Sequence, residues 1–477
     1  MRDEFCAGNH FSCRHQFQVR VYKGPIEDSQ RPGRAFPGGK TMNVNNSFIL
    51  KGHICYTPRP DSLVIRENAY AVCENGICRG VYDRIPEPYG TLEVMDCSGD
   101  LIIPGLADLH IHAPQYTFHG TGMDCELMDW LERYAFPEEI RYVDTDYAAK
   151  AYGIFAEKLR KSATSRAVIF GTVHVPASLI LTDCMEKSGL VSYVGKVSMD
   201  RNAPPELTEE SAEAGAFNER NFIKACIKRD CRRTKPILTP RFAPSCTGEL
   251  MMALGELGEE YDLPVQSHLS ENPGEVEAVG KLEPEAAFYG DVYDRYGLFG
   301  RGRNTVMAHC IYSTPPEIKR IKANGVWVAH CPSSNMNLAS GIAPVRTFLR
   351  EGIRVGLGTD VAGGSSDSMF RAVTDAIQVS KLYWRYVDQT AEPLSFSEGL
   401  YLATKGGGSF FGKAGSFEEG YSFDALVLDD SIEPSPRPLA VRERLERAFY
   451  RGLDRTGIVF KAVSGEIIRD LLPVKKS

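Results

Sequence analysis

The chain has 477 residues, 43% of them hydrophobic and 25% charged, which is typical of a globular protein and sufficient for a substantial core. Its formal net charge of −7 argues against extensive electrostatic binding to nucleic acid or to an anionic membrane, so we expect neither as a partner. No apolar run approaches the roughly 20 residues of a membrane-spanning helix, and the first residues lack the apolar stretch of a secretory signal.

The beginning of the chain differs in composition from the rest. Residues 1–41 are polar, weakly patterned and rich in proline and glycine around "SQRPGRAFPGGK", which predicts a flexible extension. Met42 opens the first strand-like pattern, so a start at Met42 is an alternative to a start at Met1.

Strand-like runs then occur near both ends of the chain. Short alternating segments such as "SFILKGHICY" and "YAVCENGICRGVY" lie between residues 47 and 100. Similar segments return in "SFDALVLD" (422–429) and "IVFKAVSGEIIRD" (458–470). Because the two ends share a pattern that the middle lacks, we predict a small β-sandwich domain assembled from residues 42–100 and 416–477.

The middle of the chain contains eight short apolar runs, and most gaps between them hold helix-like segments such as "TDYAAKAYGIFAEKLRKS". Strands that alternate with helices are typical of parallel βα units. Eight such units predict an α/β fold with a closed (β/α)₈ TIM-like barrel over residues 101–415. The eight runs are 101–112, 165–174, 190–197, 235–242, 263–271, 304–310, 325–332 and 353–360.

Side chains that can bind a metal ion lie at the ends of these runs. His110 and His112 are one residue apart in the first run, and alternate side chains of a strand share one face. His268 lies in the fifth run, and Asp360 ends the eighth. Because barrel active sites lie at the C-terminal ends of the strands, we expect these four side chains to meet. Three imidazoles and one carboxylate suit zinc or another first-row divalent metal.

The cysteine pattern bears on the cellular compartment. The thirteen cysteines are an odd number scattered along the chain, which is atypical of a disulfide framework. The pairs in "CENGIC" and "CIKRDC" have no matching second pair, so we interpret them as ordinary thiols. The pattern therefore predicts a reducing compartment, the cytoplasm.

The strand-end residues resemble those of the amidohydrolase superfamily, whose barrel carries an HxH motif on strand one, histidines on strands five and six, and an aspartate on strand eight. The matching residues here are His110, His112, His268, His309 and Asp360. Members with two metals usually bridge them with a carboxylated lysine at the end of strand four, where this chain has Arg241 and Phe242. The resemblance therefore implies one zinc ion per subunit, with iron or another divalent metal as the alternative. It also implies a homodimer.

Within this superfamily, several segments are similar to the guanine deaminases, and together they run from about residue 45 to about residue 465. The segments include "PGLADLHIHAPQY", "LMDWLERYAFPEE", "KPILTPRFAPSC", "QSHLSENPGEVEAV" and "GLGTDVAGGSSDSM". The stretch "WLERYAFPEE" carries the most weight, because the metal ligands are shared across the superfamily. This likeness implies hydrolytic deamination of guanine to xanthine and ammonia in purine catabolism or salvage.

The resemblance also implies three catalytic roles. A zinc ion lowers the pKa of bound water from 15.7 to about 7, and Asp360 accepts a proton from that water in addition to binding the metal. Glu271, three residues after His268, transfers protons to the substrate ring nitrogen and to the leaving group. His309 orients or polarises the attacking water.

A further set of residues is predicted by the same resemblance to bind the substrate. The set is His112, Ala113, Pro114, Gln115, Arg241, Phe242, His268, Leu269, Ser270, Glu271 and Asp360. In it, the amide of Gln115 is able to pair with a purine ring edge, and the donors of Arg241 suit the O6 carbonyl of guanine. Phe242 is expected to pack on the ring face.

Several alternatives remain open at this point. Deamination or dechlorination of another heterocycle, such as 8-oxoguanine, an adenine-type ring or an s-triazine, would keep the metal ligands and change the residues around 115, 130–139 and 241. A non-catalytic scaffold protein with the same barrel is a more distant alternative. His119, His174 and His330 are left without a role.

Overall fold

A computed structural model of the chain describes residues 46–472, which form seventeen strands and fourteen α-helices. The predicted extension over residues 1–41 and the alternative start at Met42 lie outside the described residues. The strands are β1 Phe48–Arg59, β2 Ser62–Glu74, β3 Ile77–Tyr82, β4 Val94–Pro104, β5 Leu106–His112, β6 Thr164–Phe170, β7 Val191–Gly195, β8 Val197–Ser198, β9 Thr234–Pro236, β10 Thr239–Pro240, β11 Val265–Leu269, β12 Thr305–His309, β13 Trp327–His330, β14 Val355–Leu357, β15 Ala425–Leu428, β16 Ile458–Val463 and β17 Glu466–Asp470. The helices are α1 Leu127–Trp130, α2 Phe136–Ile140, α3 Thr145–Lys161, α4 Val175–Ser188, α5 Ala212–Arg229, α6 Gly248–Tyr261, α7 Pro273–Leu282, α8 Tyr289–Arg295, α9 Pro315–Asn324, α10 Pro332–Asn337, α11 Val345–Arg350, α12 Met369–Tyr386, α13 Phe396–Tyr401 and α14 Val441–Tyr450.

Strands from both ends of the chain form one mixed sheet of seven strands in the order β17-β16-β15-β4-β1-β2-β3. Strands from residues 48–104 and 425–470 therefore lie in one sheet. The described strands there form a single sheet, so the sandwich of two facing sheets is not confirmed. In this sheet β4 runs parallel to β1 and antiparallel to β15, and it therefore joins the N-terminal strands to the C-terminal ones.

The middle of the chain forms an eight-stranded parallel sheet in the order β11-β12-β13-β14-β5-β6-β7-β9. Each of the eight predicted runs contributes a strand to it, and helices lie in most of the connections. The prediction of an α/β fold with a parallel sheet is confirmed. Strands β8 and β10 form a separate parallel pair, and they lie near the C-terminal ends of the third and fourth predicted runs.

The first predicted run is divided between the two sheets at Gly105. Residues up to Pro104 pair in the mixed sheet, and residues from Leu106 onward pair in the parallel sheet. A Cβ atom at position 105 would collide with the side chain of Ser165. The close approach of the chain at this point therefore requires glycine, and the change of sheet falls four residues after the predicted domain boundary at residue 101.

Helix α3 shows why the helix-like segments between the strands fold as expected. The side chain of Asp144 accepts hydrogen bonds from the backbone N–H groups of Asp146 and Tyr147, which caps the first turn. The residues Ala148, Tyr152, Phe155 and Leu159, spaced three or four apart, are buried. Within residues 46–472, no helix is long and apolar enough to cross a membrane.

A buried ion pair connects β6 to the mixed sheet. Arg166 Nε lies 2.6 Å from Asp424 Oδ2, and Nη2 lies 3.2 Å from Oδ1, so the pair is bidentate. We expect Asp424→Ala to lower the free energy of unfolding by about 3 kcal/mol, because it leaves the Arg166 charge buried without a partner. Denaturant unfolding followed by circular dichroism measures the loss.

Asp61→Ala is the matched control, since the Arg59–Asp61 pair is exposed and such pairs contribute little to stability. An equal change in the two variants would contradict the assigned importance of the buried pair.

Candidate active site

Three histidine rings and one carboxylate converge where β5, β11 and β14 end. His112 Nε2 lies 3.2 Å from both His110 Nε2 and His268 Nε2. Asp360 Oδ1 lies 3.1 Å from His110 Nε2 and 3.4 Å from His112 Nε2. The alternation of side chains along β5 thus directs His110 and His112 to one point, as their spacing predicts. All four residues are buried.

The chemistry of this donor set fits a divalent metal ion. Burial lowers the pKa of His110 and holds the pKa values of His112 and His268 well below the usual range, so the three rings are neutral. A hydrogen bond between two Nε2 atoms uses one proton, which only one of the two nitrogens can carry. The three Nε2 atoms therefore cannot all be satisfied by hydrogen bonds to one another. The Nδ1–H group of His268 donates to Arg241 O at 2.6 Å, which directs the Nε2 lone pair into the cluster.

Glu271 and His309 lie beside this cluster. His309 Nε2 is 3.5 Å from Glu271 Oε2 and 3.7 Å from Asp360 Oδ2. The Nδ1–H group of His309 donates to Asn335 Oδ1 at 2.8 Å, which orients the ring. Burial raises the pKa of Glu271 to about 7, and Ser340 Oγ donates to Glu271 Oε1 at 3.1 Å. At neutral pH this carboxyl group is therefore able both to donate and to accept a proton.

The backbone is left-handed at several positions that carry or flank the site. The φ angles are +49° at Ser270, +72° at His309 and +47° at Asp360. Residues other than glycine adopt this region at an energetic cost, and such residues concentrate at functional sites. Each of these positions lies at or just after the end of a strand. Its left-handed backbone sets the direction of the side chain, and the surrounding packing must maintain that conformation.

A second polar group adjoins the cluster and is centred on Glu139 in α2. Glu139 Oε1 accepts a hydrogen bond from Gln115 Nε2 at 2.8 Å, and Oε2 accepts one from Arg241 Nη1 at 2.6 Å. Gln115 Oε1 accepts from the backbone N–H of Ala362 at 3.2 Å. The guanidinium of Arg241 also lies over the ring of Phe136, 5.3 Å from its centroid. Two predicted substrate residues are thus held by one buried carboxylate.

A pocket with an empty volume of about 400 Å³ connects these two groups. Its lining residues are His112, Gln115, Leu127, Trp130, Leu131, Arg241, Phe242, His268, Glu271, Leu338, Asp360 and Gly363. The walls are largely apolar or aromatic and carry a few convergent polar groups, which is typical of a small-molecule site.

Four residues predicted to contact substrate do not line this pocket. Leu269 is buried in the hydrophobic core, and Ala113 packs in a second apolar cluster. Ser270 Oγ donates to Glu317 Oε2 at 2.9 Å. Pro114 is buried in the turn after β5. For these four residues, contact with substrate stays a prediction.

The three unassigned histidines lie outside the cluster. The ring of His119 stacks on Tyr116, with centroids 4.8 Å apart. His174 precedes α4, beyond the end of β6. Both ring nitrogens of His330 are buried without a hydrogen-bond partner, and the residue lines a small separate cavity with residues of α11 and α12.

Sequence reasoning missed two residues of the site. Glu139 lies in the segment "WLERYAFPEE", but nothing in the sequence shows that it meets Gln115 and Arg241. Cys331 follows β13, and its thiol belongs to a group with His110, His309 and Asp360 whose potential ligand atoms lie within 4.8 Å of one another. The triplet "HCP" at the end of the seventh predicted strand was the signal available for Cys331.

The chain is similar to known proteins over most of its length. Residues 101–468 match the model of the amidohydrolase family. The chain is 42% identical over 342 residues to guanine deaminase of Rattus norvegicus, an alignment covering 71% of this chain and 74% of that protein. It is 38% identical over 369 residues to guanine deaminase of Dictyostelium discoideum, covering 76% of this chain and 81% of that protein.

A solved structure extends the comparison to three dimensions. Guanine deaminase from C. acetobutylicum, with guanine bound in the active site, has a TM-score of 0.85 and 45% sequence identity, covering 88% of this chain and all of that chain. The family match spans both the parallel sheet and the C-terminal strands of the mixed sheet, and it includes every residue of the histidine and aspartate cluster. On these grounds the chain belongs to the amidohydrolase family.

Proposed function

We propose that the chain catalyses the hydrolytic deamination of guanine to xanthine and ammonia. The observation that carries the proposal is that one pocket brings the histidine and aspartate cluster, Glu271 and the Arg241–Gln115 pair together. Relatives named guanine deaminases cover most of the chain, and one solved relative holds guanine in its active site. Xanthine and ammonia account for all atoms of guanine and one water.

His110, His112, His268 and Asp360 are the residues that would hold the metal, and we propose one zinc ion per subunit, with iron or another divalent metal as the alternative. A metal ion bound there would acidify water from a pKa of 15.7 to about 7. The support is the fit of three neutral imidazoles and a carboxylate to N and O coordination.

The remaining steps fall to residues around the cluster. Asp360 Oδ2, on the side of the carboxylate that faces His309, accepts the proton of the attacking water. His309 Nε2 orients that water, since its other ring nitrogen is held by Asn335. Glu271 carries the proton to the ring nitrogen next to the attacked carbon and then to the departing amino group, a role that a pKa of about 7 suits.

Recognition of the purine ring is assigned to the other side of the pocket. The N–H groups of Arg241 donate to the O6 carbonyl, and the amide of Gln115 pairs with the ring edge. Phe242 and Trp130 provide apolar faces for the ring. Sites built on buried hydrogen-bonding groups reject analogues that leave those groups unpaired, so adenine is expected to be a poor substrate.

The experiment that tests this function is conversion of guanine by the purified, metal-replete protein, followed by the loss of guanine ultraviolet absorbance and the formation of xanthine. We expect conversion with metal and none after chelation. Adenine, 8-oxoguanine and an amino-s-triazine serve as comparison substrates. Failure to convert guanine with metal bound, together with turnover of another of these rings, would transfer the assignment to that heterocycle.

We also propose a closed (β/α)₈ barrel for the parallel sheet, with domain limits near residues 101–415 and a β-rich domain from 42–100 and 416–477. Leu238, just after β9, forms a parallel bridge with Val265 in β11, the strand at the other end of the sheet. Gln266 N–H donates to Leu238 O at 2.9 Å, and Leu238 N–H donates to Pro264 O at 3.0 Å. These bonds support closure of the sheet between its two terminal strands.

A cytoplasmic location and a homodimer complete the proposal. Ten cysteines among residues 46–472, including Cys55, Cys73 and Cys78, are free thiols, which supports a reducing compartment. The homodimer rests on the family resemblance alone.

A further inference from the structure

We propose that Glu139 is a positioning residue that gives the site its preference for a purine with a carbonyl group at position 6. Glu139 acts through Arg241 and Gln115, which it holds in fixed orientations. The inference rests on the proposed function, because it takes the ligand of Arg241 to be the O6 carbonyl of the substrate.

The first argument is that both oxygens of Glu139 are committed. The residue is 1% exposed, Oε1 accepts from Gln115 and Oε2 accepts from Arg241. The guanidinium of Arg241, which is also buried, compensates the negative charge of the Glu139 carboxylate. Each oxygen of Glu139 is thus bonded to a pocket-lining residue while Glu139 itself does not line the pocket, so it acts on its two neighbours.

The second argument concerns the direction of the Gln115 amide. Its Nε2 donates to Glu139, and its Oε1 accepts from the N–H of Ala362. A rotation of the amide by 180° would place its carbonyl oxygen against the carboxylate and its amino group against the Ala362 N–H. Both contacts would then be repulsive, so Glu139 fixes which edge of Gln115 donates and which accepts.

The third argument concerns the orientation of Arg241. Nη1 is the guanidinium atom with a hydrogen-bond partner among residues 46–472, and the group lies over the Phe136 ring. Arg241 also lines the pocket. Its remaining N–H groups are thus free to donate to a carbonyl oxygen, and the guanidinium is held in place before the substrate arrives. Such preorganisation increases affinity by lowering the cost of ordering the side chain.

The substitution Glu139→Gln tests the carboxylate with little change of shape. A glutamine has one acceptor oxygen and one NH₂ group, whereas Gln115 and Arg241 both present donors to position 139. One of the two neighbours must then face a donor, and its orientation is lost. Glu138→Gln is the matched control, because Glu138 is adjacent on α2 and accepts from Thr117 Oγ1 at 2.6 Å, outside the residues that line the pocket.

The measurement is the dissociation constant of two purines that cannot be deaminated, obtained by calorimetry on metal-loaded protein. Hypoxanthine has the carbonyl at position 6 and purine lacks it. We expect the unsubstituted protein to bind hypoxanthine at least about tenfold more tightly than purine, since the carbonyl is bound by a charged donor. In Glu139→Gln we expect this preference to fall to within about threefold, because the affinity for hypoxanthine falls more than that for purine, with the metal content unchanged. Glu138→Gln should keep the full preference.

Two results would overturn the inference. One is an unchanged preference in Glu139→Gln, and the other is an equal loss of affinity for both purines, which a purely structural role would produce. If Glu139→Gln does not fold, Glu139→Asp replaces it: it keeps the charge, is too short to reach both neighbours, and must lose the preference. Failure of the proposed function would appear separately, as an unsubstituted protein that neither converts guanine nor prefers hypoxanthine.

Discussion

Glu271→Gln is expected to lower kcat for guanine by about 10³-fold while the bound metal is retained, since general acid–base groups contribute about 10²–10⁴-fold. The side chain keeps its size, and its contact with Ser340 Oγ can persist. What is lost is the exchangeable proton of a carboxyl group whose pKa burial raises to about 7. Steady-state kinetics gives kcat and KM, and mass spectrometry of the metal gives occupancy.

The control for this prediction is Glu277→Gln in α7. Glu277 is exposed and pairs with Lys281 on the same helix, so its substitution removes a carboxylate without touching the pocket. We expect no change in kcat for Glu277→Gln. An unaltered kcat in Glu271→Gln would remove Glu271 from the proton transfers, and loss of metal in that variant would instead place Glu271 among the groups that maintain the cluster.

Asp360→Ala is expected to abolish both metal retention and turnover. Asp360 is the carboxylate among the four converging groups, and its Oδ1 lies within 3.4 Å of the Nε2 atoms of His110 and His112. Removing groups that merely support a ligand costs about 10–100-fold in metal affinity, so we expect a loss of at least about 100-fold here. Equilibrium dialysis against zinc measures the affinity, and the guanine assay measures the turnover.

Asp129→Ala provides the comparison for Asp360→Ala, since Asp129 is an exposed carboxylate of α1 next to the pocket-lining Trp130. It should retain metal and activity. If Asp360→Ala kept its zinc affinity but lost turnover, Asp360 would be a proton acceptor alone, and the proposed ligand set would reduce to the three histidines.

The meeting of the four proposed metal ligands could be predicted from the sequence because each depends on a local rule. The spacing of His110 and His112 equals the side-chain period of a strand, and His268 and Asp360 lie at the C-terminal ends of other strands. Parallel strands bring such ends to the same edge of a sheet. The distances of 3.1 to 3.4 Å between their ligand atoms agree with that rule.

The network around Glu139 could not be predicted, for a physical reason. Gln115 follows β5, Glu139 lies in α2, and Arg241 follows β10, so their contacts depend on how a short helix packs over the pocket. Residues 131–135 form a π-helical turn between α1 and α2, which changes the direction in which α2 presents its side chains. No periodicity in the sequence indicates that turn.

The sequence also does not show that the first apolar run is divided between two strands. The residues on both sides of Gly105 are apolar and buried, so one continuous strand and two successive strands give the same pattern. The collision that a Cβ would make with Ser165 depends on β6, which lies about sixty residues further along the chain. The single mixed sheet could not be predicted either. An alternating pattern of apolar and polar residues identifies a strand, but it does not show which strands pair with it.

The mixed sheet has a consequence for how the chain is made. β4 pairs on one side with β1 and on the other with β15, where Leu101 lies opposite Leu428 and Pro104 opposite Ala425. A ribosome adds about 5–20 residues per second, so the interval between the synthesis of β4 and that of β15, its second partner strand, is on the order of 15–60 s. During that interval the nascent chain exposes an apolar strand edge that other chains can pair with. Completion of this sheet therefore requires β15, β16 and β17, which are synthesised only after every strand of the parallel sheet.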